Sequence, residues 1–205
     1  MLQQLVPGTL WCAQRALTFG PIRLTTRMTV VRLSDGTLWV HSPVHPDPDL
    51  RAALDALGEV AWVVAPNRSH HLYFQAFMAA YPAARGFVAP GLGRKVPALR
   101  DYPELGGEAP WQADLQGYFI RGLPVLNETV WFHPASGTLV LTDLLFCFGP
   151  GSGGLASVVA ALLGVRGRLG MSRTMKWMVR DKAAFRQSVA PLCALPVQRI
   201  LVAHD

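Results

Sequence analysis

Residues 60–66, VAWVVAP, form a nearly continuous apolar run of strand length. A strand with one face in water alternates apolar and polar side chains, whereas a run without alternation has to be covered on both faces. Such a strand belongs inside a layered α/β domain, with strands beside it and further elements above and below. The flanking sequence supplies those elements. TLWCAQRAL, IRLTTRMTVVRL and TLWVHSPV read as early strands, and Asp35-Gly36 between the last two marks a hairpin turn. DPDLRAALDALG (47–58) reads as a helix capped by Asp49 and ended by Gly58. HLYFQAFMAAYP (71–82) reads as a second helix, closed by Pro82, and RGFVAP as another short strand. The stretch 91–110 reads as loop with a helical turn. LQGYFIRG, ETVWFHP and GTLVLTD are three more strands, residues 151 to about 192 are helical, and VQRILVAHD is a final strand.

The chain has 205 residues, 51% of them hydrophobic, which suits one domain over 1–205 carrying a basic helical segment at about 151–192. Cys12, Cys147 and Cys193 are far apart and lack the spacing of a structural zinc site. The opening MLQQLVPGTLWC has neither the basic nor the apolar part of a secretion signal, so the expected location is cytoplasmic. The longest apolar run, GGLASVVAALLGV, is too short to cross a bilayer. The net charge of +6 is local: residues 166–186 hold seven Arg and Lys against Asp181 alone, and the rest balances at twelve of each sign.

Polar residues recur at the carboxyl ends of apolar strands. His70 and His71 follow VAWVVAP, Asp143 follows TLVLT, and His204 follows QRILVA. Side chains from different strands can converge at such a rim. Three imidazoles and a carboxylate make a donor set for one divalent metal, zinc foremost, with iron and manganese as alternatives.

This order of His-His, then LVLTDLLF, then a closing strand ending in VAHD resembles the metallo-β-lactamase superfamily. The resemblance runs over essentially the whole chain and narrows to a bacterial branch carrying RMTVVRL, LWVHSPV, VAPN and HH. It implies an αββα sandwich of two mixed sheets with outer helices. It also implies a metal-dependent, hydrolase-like protein acting on an ester, lactone, thioester or phosphoester. Members of the superfamily usually carry a His-x-His-x-Asp-His run for two metals. Here Pro66 and Arg68 stand at the first two histidines, His70 at the aspartate and His71 at the last histidine. A further family histidine, expected near GLPVLNE, is absent. One metal site therefore survives, formed by His70, His71, Asp143 and His204, with Glu128 or Asp143 as proton acceptor. Asn127 and Glu128, close to the missing histidine, can equally supply a ligand or a structural hydrogen bond.

Plainer roles stand beside each of these. The histidine pair can cap or pack a helix start, Asp143 can cap a turn at LLF, and His204 is penultimate and exposed to fraying. His41 reads as a support near the rim, and His45 and His133, next to prolines, as surface residues. Arg68 can meet an anionic substrate or a surface carboxylate. GPGSGG (149–154) matches neither nucleotide-binding glycine pattern and reads as a hinge. Loss of one metal site also fits a non-catalytic scaffold that binds a small-molecule ligand or sits at a membrane. Within 166–186, burial of Met171, Met175, Met178 and Trp177 is expected, with Arg173 and Arg180 exposed. Should the apolar side chains stand in water beside the cations, the segment suits an anionic membrane surface; sparse aromatics argue against nucleic acid.

Overall fold

The apolar run at 60–65 is a strand covered on both faces, as its composition requires. Val63 packs towards helices and Val64 towards a second sheet. In the computed structural model, which describes residues 1–19, 22–149 and 154–204, the first sheet has the order β1-β2-β3-β4-β5-β6. Its strands are β1 (Leu2–Val6), β2 (Leu10–Phe19), β3 (Ile22–Arg32), β4 (Leu38–His41), β5 (Val60–Ala65) and β6 (Arg85–Val88). The first four pair antiparallel, and β4, β5 and β6 run parallel. The second sheet has the order β10-β9-β8-β7, from β7 (Gln116–Phe119), β8 (Thr129–His133), β9 (Thr138–Val140) and β10 (Arg199–Leu201). Only its β9–β10 pair is parallel.

Helices cover the outer faces. α1 (Pro48–Asp55), α2 (Phe74–Ala80) and α3 (Leu92–Lys95) lie on the first sheet, where Leu50, Leu54, Phe74, Phe77 and Leu92 meet Val40 and Val63. α4 (Gly154–Leu163) and α5 (Arg173–Met178) precede α6 (Lys182–Cys193), whose Phe185, Val189 and Leu192 pack against Phe132 and Leu139 on the second sheet. Between the sheets Trp39, Trp111 and Trp131 meet with ring centroids 5.5–6.1 Å apart. The period of two along β4 sends Trp39 inwards and Val40 to the helices. This is the expected four-layer αββα sandwich of two mixed sheets.

Several local expectations change. β1 was not foreseen, because LQQLV carries two glutamines and its apolar residues are only partly covered. The cap of α1 is Asp47 rather than Asp49: its carboxylate accepts from Leu50 N–H at 2.9 Å and also pairs with Arg15. Residues 70–73 form a turn, and α2 begins only at Phe74. The helical stretch after 154 is three helices, broken by Gly164 and Gly167 at positive φ and restarted at the capping side chains of Ser172 and Asp181. No helix follows Asp143. Of GPGSGG, residues 150–153 lie outside the described residues. No helix among the described residues is long and apolar enough to cross a membrane.

The turn after β7 shows how tightly α6 docks. Gly122 has φ +76°, its carbonyl accepts from Arg180 N–H at 2.8 Å, and a Cβ there would stand 2.1 Å from the Asp181 carbonyl oxygen. Alanine would meet both an unfavourable backbone conformation and a backbone collision. Gly122→Ala is expected to destabilise the fold by about 3 kcal/mol, seen in a thermal melt as a drop of roughly 6–12 °C; an unchanged melting temperature would contradict this packing.

Candidate metal centre

The parallel strands of both sheets deliver their polar ends to one place. After β5 the chain turns through Pro66 and Asn67 to His70; after β9 comes Asp143, and after β10 comes His204. His70 Nε2 lies 3.1 Å from His204 Nε2 and 3.3 Å from Asp143 Oδ1, and His204 Nε2 lies 3.2 Å from the same oxygen. Three donor atoms thus form a nearly equilateral triangle, and all three side chains are largely buried.

The surrounding hydrogen bonds decide what this triangle can hold. His204 Nδ1 is 2.6 Å from the Thr25 carbonyl oxygen, which only accepts. The Nδ1 proton is therefore fixed, and a neutral ring presents the Nε2 lone pair to the triangle. Ser42 Oγ lies 2.7 Å from His70 Nδ1 and orients that ring, although a hydroxyl, able to donate or accept, suits either tautomer. With His70 in the matching tautomer, two imidazole lone pairs and a carboxylate oxygen face one another, an arrangement that a cation among them relieves. The edges of 3.1–3.3 Å match those of a tetrahedron with ligand bonds of about 2.0–2.1 Å, whose edges are about 3.3–3.4 Å. The donors and their spacing fit a divalent metal.

Asp143 is held as a carboxylate. Burial pushes its carboxyl up, but the adjacent rings, His70 before His204, outweigh it and keep the group far below the carboxylate range. Asn67 Nδ2 donates to Asp143 Oδ2 at 2.9 Å and to Thr142 Oγ1 at 2.8 Å, while its Oδ1 accepts from the N–H groups of Ser69 and His70 at 2.7 Å each. One fully buried amide thus places two of the three donors. The adjoining rings close the site: Phe146 stacks on His204 at 5.9 Å.

Three expected roles are corrected. His71 is not part of the triad of His70, Asp143 and His204, whose ligand atoms lie within 4.8 Å of one another. Asn67 and Ser42 hold His70 inwards, and the next residue of the turn emerges half-buried instead. There desolvation, and then Lys95, lower the pKa of the His71 ring. Glu128 is not placed as a proton acceptor. It is fully buried, and its oxygens accept the N–H groups of Thr142, Asp143 and Leu144 at 2.5, 2.9 and 3.1 Å. Burial and then Asp143 raise its pKa to about 7. It positions the Asp143 loop. Asp143 itself, held so strongly ionised, suits a ligand's role and is a poor base.

Among the remaining candidates, His204 is buried and anchored, not frayed. His41 is buried against Trp39, ring centroids 5.3 Å apart; desolvation and then His70 lower its pKa to about 3, so it is neutral. His45 is exposed as expected, but His133 is buried, its Nδ1 2.7 Å from Ser136 Oγ. Arg68 donates to the Pro124 carbonyl at 2.9 Å, and Asn127 donates to that of Pro90 at 2.9 Å; both bonds are structural. Asn67, Ser42 and Thr25 were missed. Their signal is weak, because serine, threonine and asparagine at strand ends are common turn residues.

Residues 7–149 match the model of a domain of unknown function, DUF4336. The chain belongs to the DUF4336 family. No curated protein sequence matches it. Among solved structures, the DIM-1 metallo-β-lactamase exposed to ceftazidime is similar, with 11% identity, a TM-score of 0.68, and coverage of 100% of this chain and 89% of that one. A metallo-β-lactamase from Erythrobacter litoralis gives 17%, 0.66, 100% and 88%. The FIM-1 enzyme from Pseudomonas aeruginosa in its mono-zinc form gives 12%, 0.62, 100% and 87%. This DUF4336 chain therefore has the metallo-β-lactamase fold.

Glu128→Gln would set an amide NH2 against backbone N–H donors. The expected cost is about 2–3 kcal/mol of stability, because buried donors lose their acceptor. A variant that melts like the wild type would show that Glu128 does not brace this loop.

Proposed function

We propose that the chain is a metal-dependent, hydrolase-like protein holding one divalent metal, zinc first and iron or manganese next, at His70, Asp143 and His204. The observation that carries this reading is the triangle of donor atoms with edges of 3.1–3.3 Å, its ring tautomer fixed from Thr25. Such a metal supplies Lewis acidity, polarising a carbonyl or phosphoryl oxygen and giving hydroxide from water near neutral pH. The chain's own residues hold and orient. Asn67 fixes the Asp143 carboxylate and the turn carrying His70, Glu128 fixes the loop carrying Asp143, and Phe146 shields one face of His204. The substrate class is an ester, lactone, thioester or phosphoester. Support comes from the shared fold, one of whose enzymes is described in a mono-zinc form.

One observation favours a second reading, a non-catalytic scaffold that binds a small-molecule ligand. Neither acidic candidate is available as a base, Glu128 because backbone donors occupy it and Asp143 because it is held ionised. Turnover of a panel of simple esters, thioesters and phosphoesters by the metal-loaded protein, abolished in His204→Ala, would establish the first reading. Metal binding with no turnover across the panel would establish the second.

Purified without chelator, the protein is expected to retain about one equivalent of metal, since one three-donor cluster is built among the described residues. Elemental analysis should find it lost in His70→Ala, Asp143→Ala or His204→Ala and kept in His71→Ala. Ser42→Ala should weaken affinity about 10–100-fold. Metal should leave as pH falls, because protons compete for both Nε2 atoms. Two retained equivalents would refute a single site.

A further inference from the structure

The expected burial of Trp177 is overturned. Its ring is 82% exposed, and Leu162, Val158 and Leu169 are 66%, 55% and 42% exposed. Met175 and Met178 are only partly covered. Single exposed apolar residues are ordinary, but several on one short segment that also carries exposed cations are not. The two helices that carry these side chains are linked. Arg173 Nη1 donates to the Leu162 carbonyl at 3.1 Å, and Arg168 Nε donates to that of Gly164 at 2.8 Å, so the end of α4 and the start of α5 are tied together. Val158 and Leu162 stand four residues apart on α4, as do Arg173 and Trp177 on α5, so each pair shares a helix face. Arg166, Arg168, Arg173, Lys176 and Arg180 are all exposed on the same segment.

We propose that this face of α4 and α5 docks on an anionic lipid bilayer. The pairing of chemistries selects that occupant. Trp177 and Leu162 gain by leaving water for the acyl boundary, where tryptophan is favoured, while the surrounding guanidinium and ammonium groups meet lipid phosphates and carboxylates. A nucleic-acid backbone would satisfy the cations and leave Val158 and Leu162 in water. The remainder of the chain carries no net charge, so the attraction has one direction. The face is also firmly mounted. Phe148 N–H donates to the Val165 carbonyl at 3.2 Å, Gly167 N–H to that of Phe148 at 2.7 Å, and Phe146 exchanges hydrogen bonds with Gly170 at 2.9 and 3.0 Å. This ladder joins the basic segment to Phe146, which stacks on His204.

The test is flotation of the full chain with vesicles of phosphatidylcholine alone and of phosphatidylcholine containing about 30% phosphatidylserine. Binding is expected only to the anionic vesicles, and it should weaken steeply as salt is added. The other five tryptophans are buried or half-buried, so a blue shift on binding reports Trp177. Trp177→Ser should weaken binding about tenfold or more. Lys176→Gln/Arg180→Gln should weaken it roughly twenty-five-fold, about fivefold per cation. Far-UV circular dichroism and a melt, unchanged in these surface variants, would confirm that their fold is intact. Three results would overturn the proposal: no binding at low salt, equal binding to neutral vesicles, or binding to duplex DNA that matches the anionic vesicles and ignores Trp177→Ser.

Discussion

The buried carboxylate of Glu128 is the constraint on which the site depends. It stands just before β8, in a fully buried position, and takes its hydrogen bonds from three successive N–H groups after β9. Charge-assisted bonds of this kind contribute about 1.5–3 kcal/mol each, while removing the carboxylate from water costs several kcal/mol. The two nearly cancel in net stability. Geometry is what remains: residues 142–144, which have no helix or strand of their own, are held in one conformation by a side chain from the neighbouring strand. Asn67 carries the same bracing across to the first sheet, through bonds to Thr142, Asp143 and the turn at 69–70. Both sheets thereby set the position of one carboxylate oxygen.

Closure of the triangle needs a second tether, at the end of the chain. Arg27 on β3 donates to the Val202 carbonyl at 2.5 Å, and Thr25 on the same strand accepts from His204. The long β3 strand of the opposite sheet thus fixes the segment after β10, and His204 completes the buried triangle.

The layered fold was legible because its signals are periodic. Alternation along β4, the unbroken run of β5 and the apolar faces of α1 and α6 all report which side is covered, and coverage decides the layers. The convergence of His70, Asp143 and His204 was legible for a related reason: residues just past parallel strands share one end of a sheet. Orientation within turns was not. His70 and His71 are adjacent in sequence, and only the bonds from Ser42 and Asn67 decide which ring faces inwards. Nor did composition reveal Trp177. An apolar side chain is expected inside, whereas this one stands exposed on the short helix α5.

The places where the resemblance puts the ligands of a second metal now carry backbone architecture. The Pro66 carbonyl accepts from Thr129 N–H at 3.1 Å, Arg68 N–H donates to the Leu126 carbonyl at 2.9 Å, and the Arg68 guanidinium reaches the Pro124 carbonyl. These bonds join the turn after β5 to the loop before β8, the same two segments that a shared metal would have linked through histidines. A cross-link made of hydrogen bonds between protein groups needs no ion and does not titrate with its ligands, so the sandwich can keep this edge closed whether or not metal is bound.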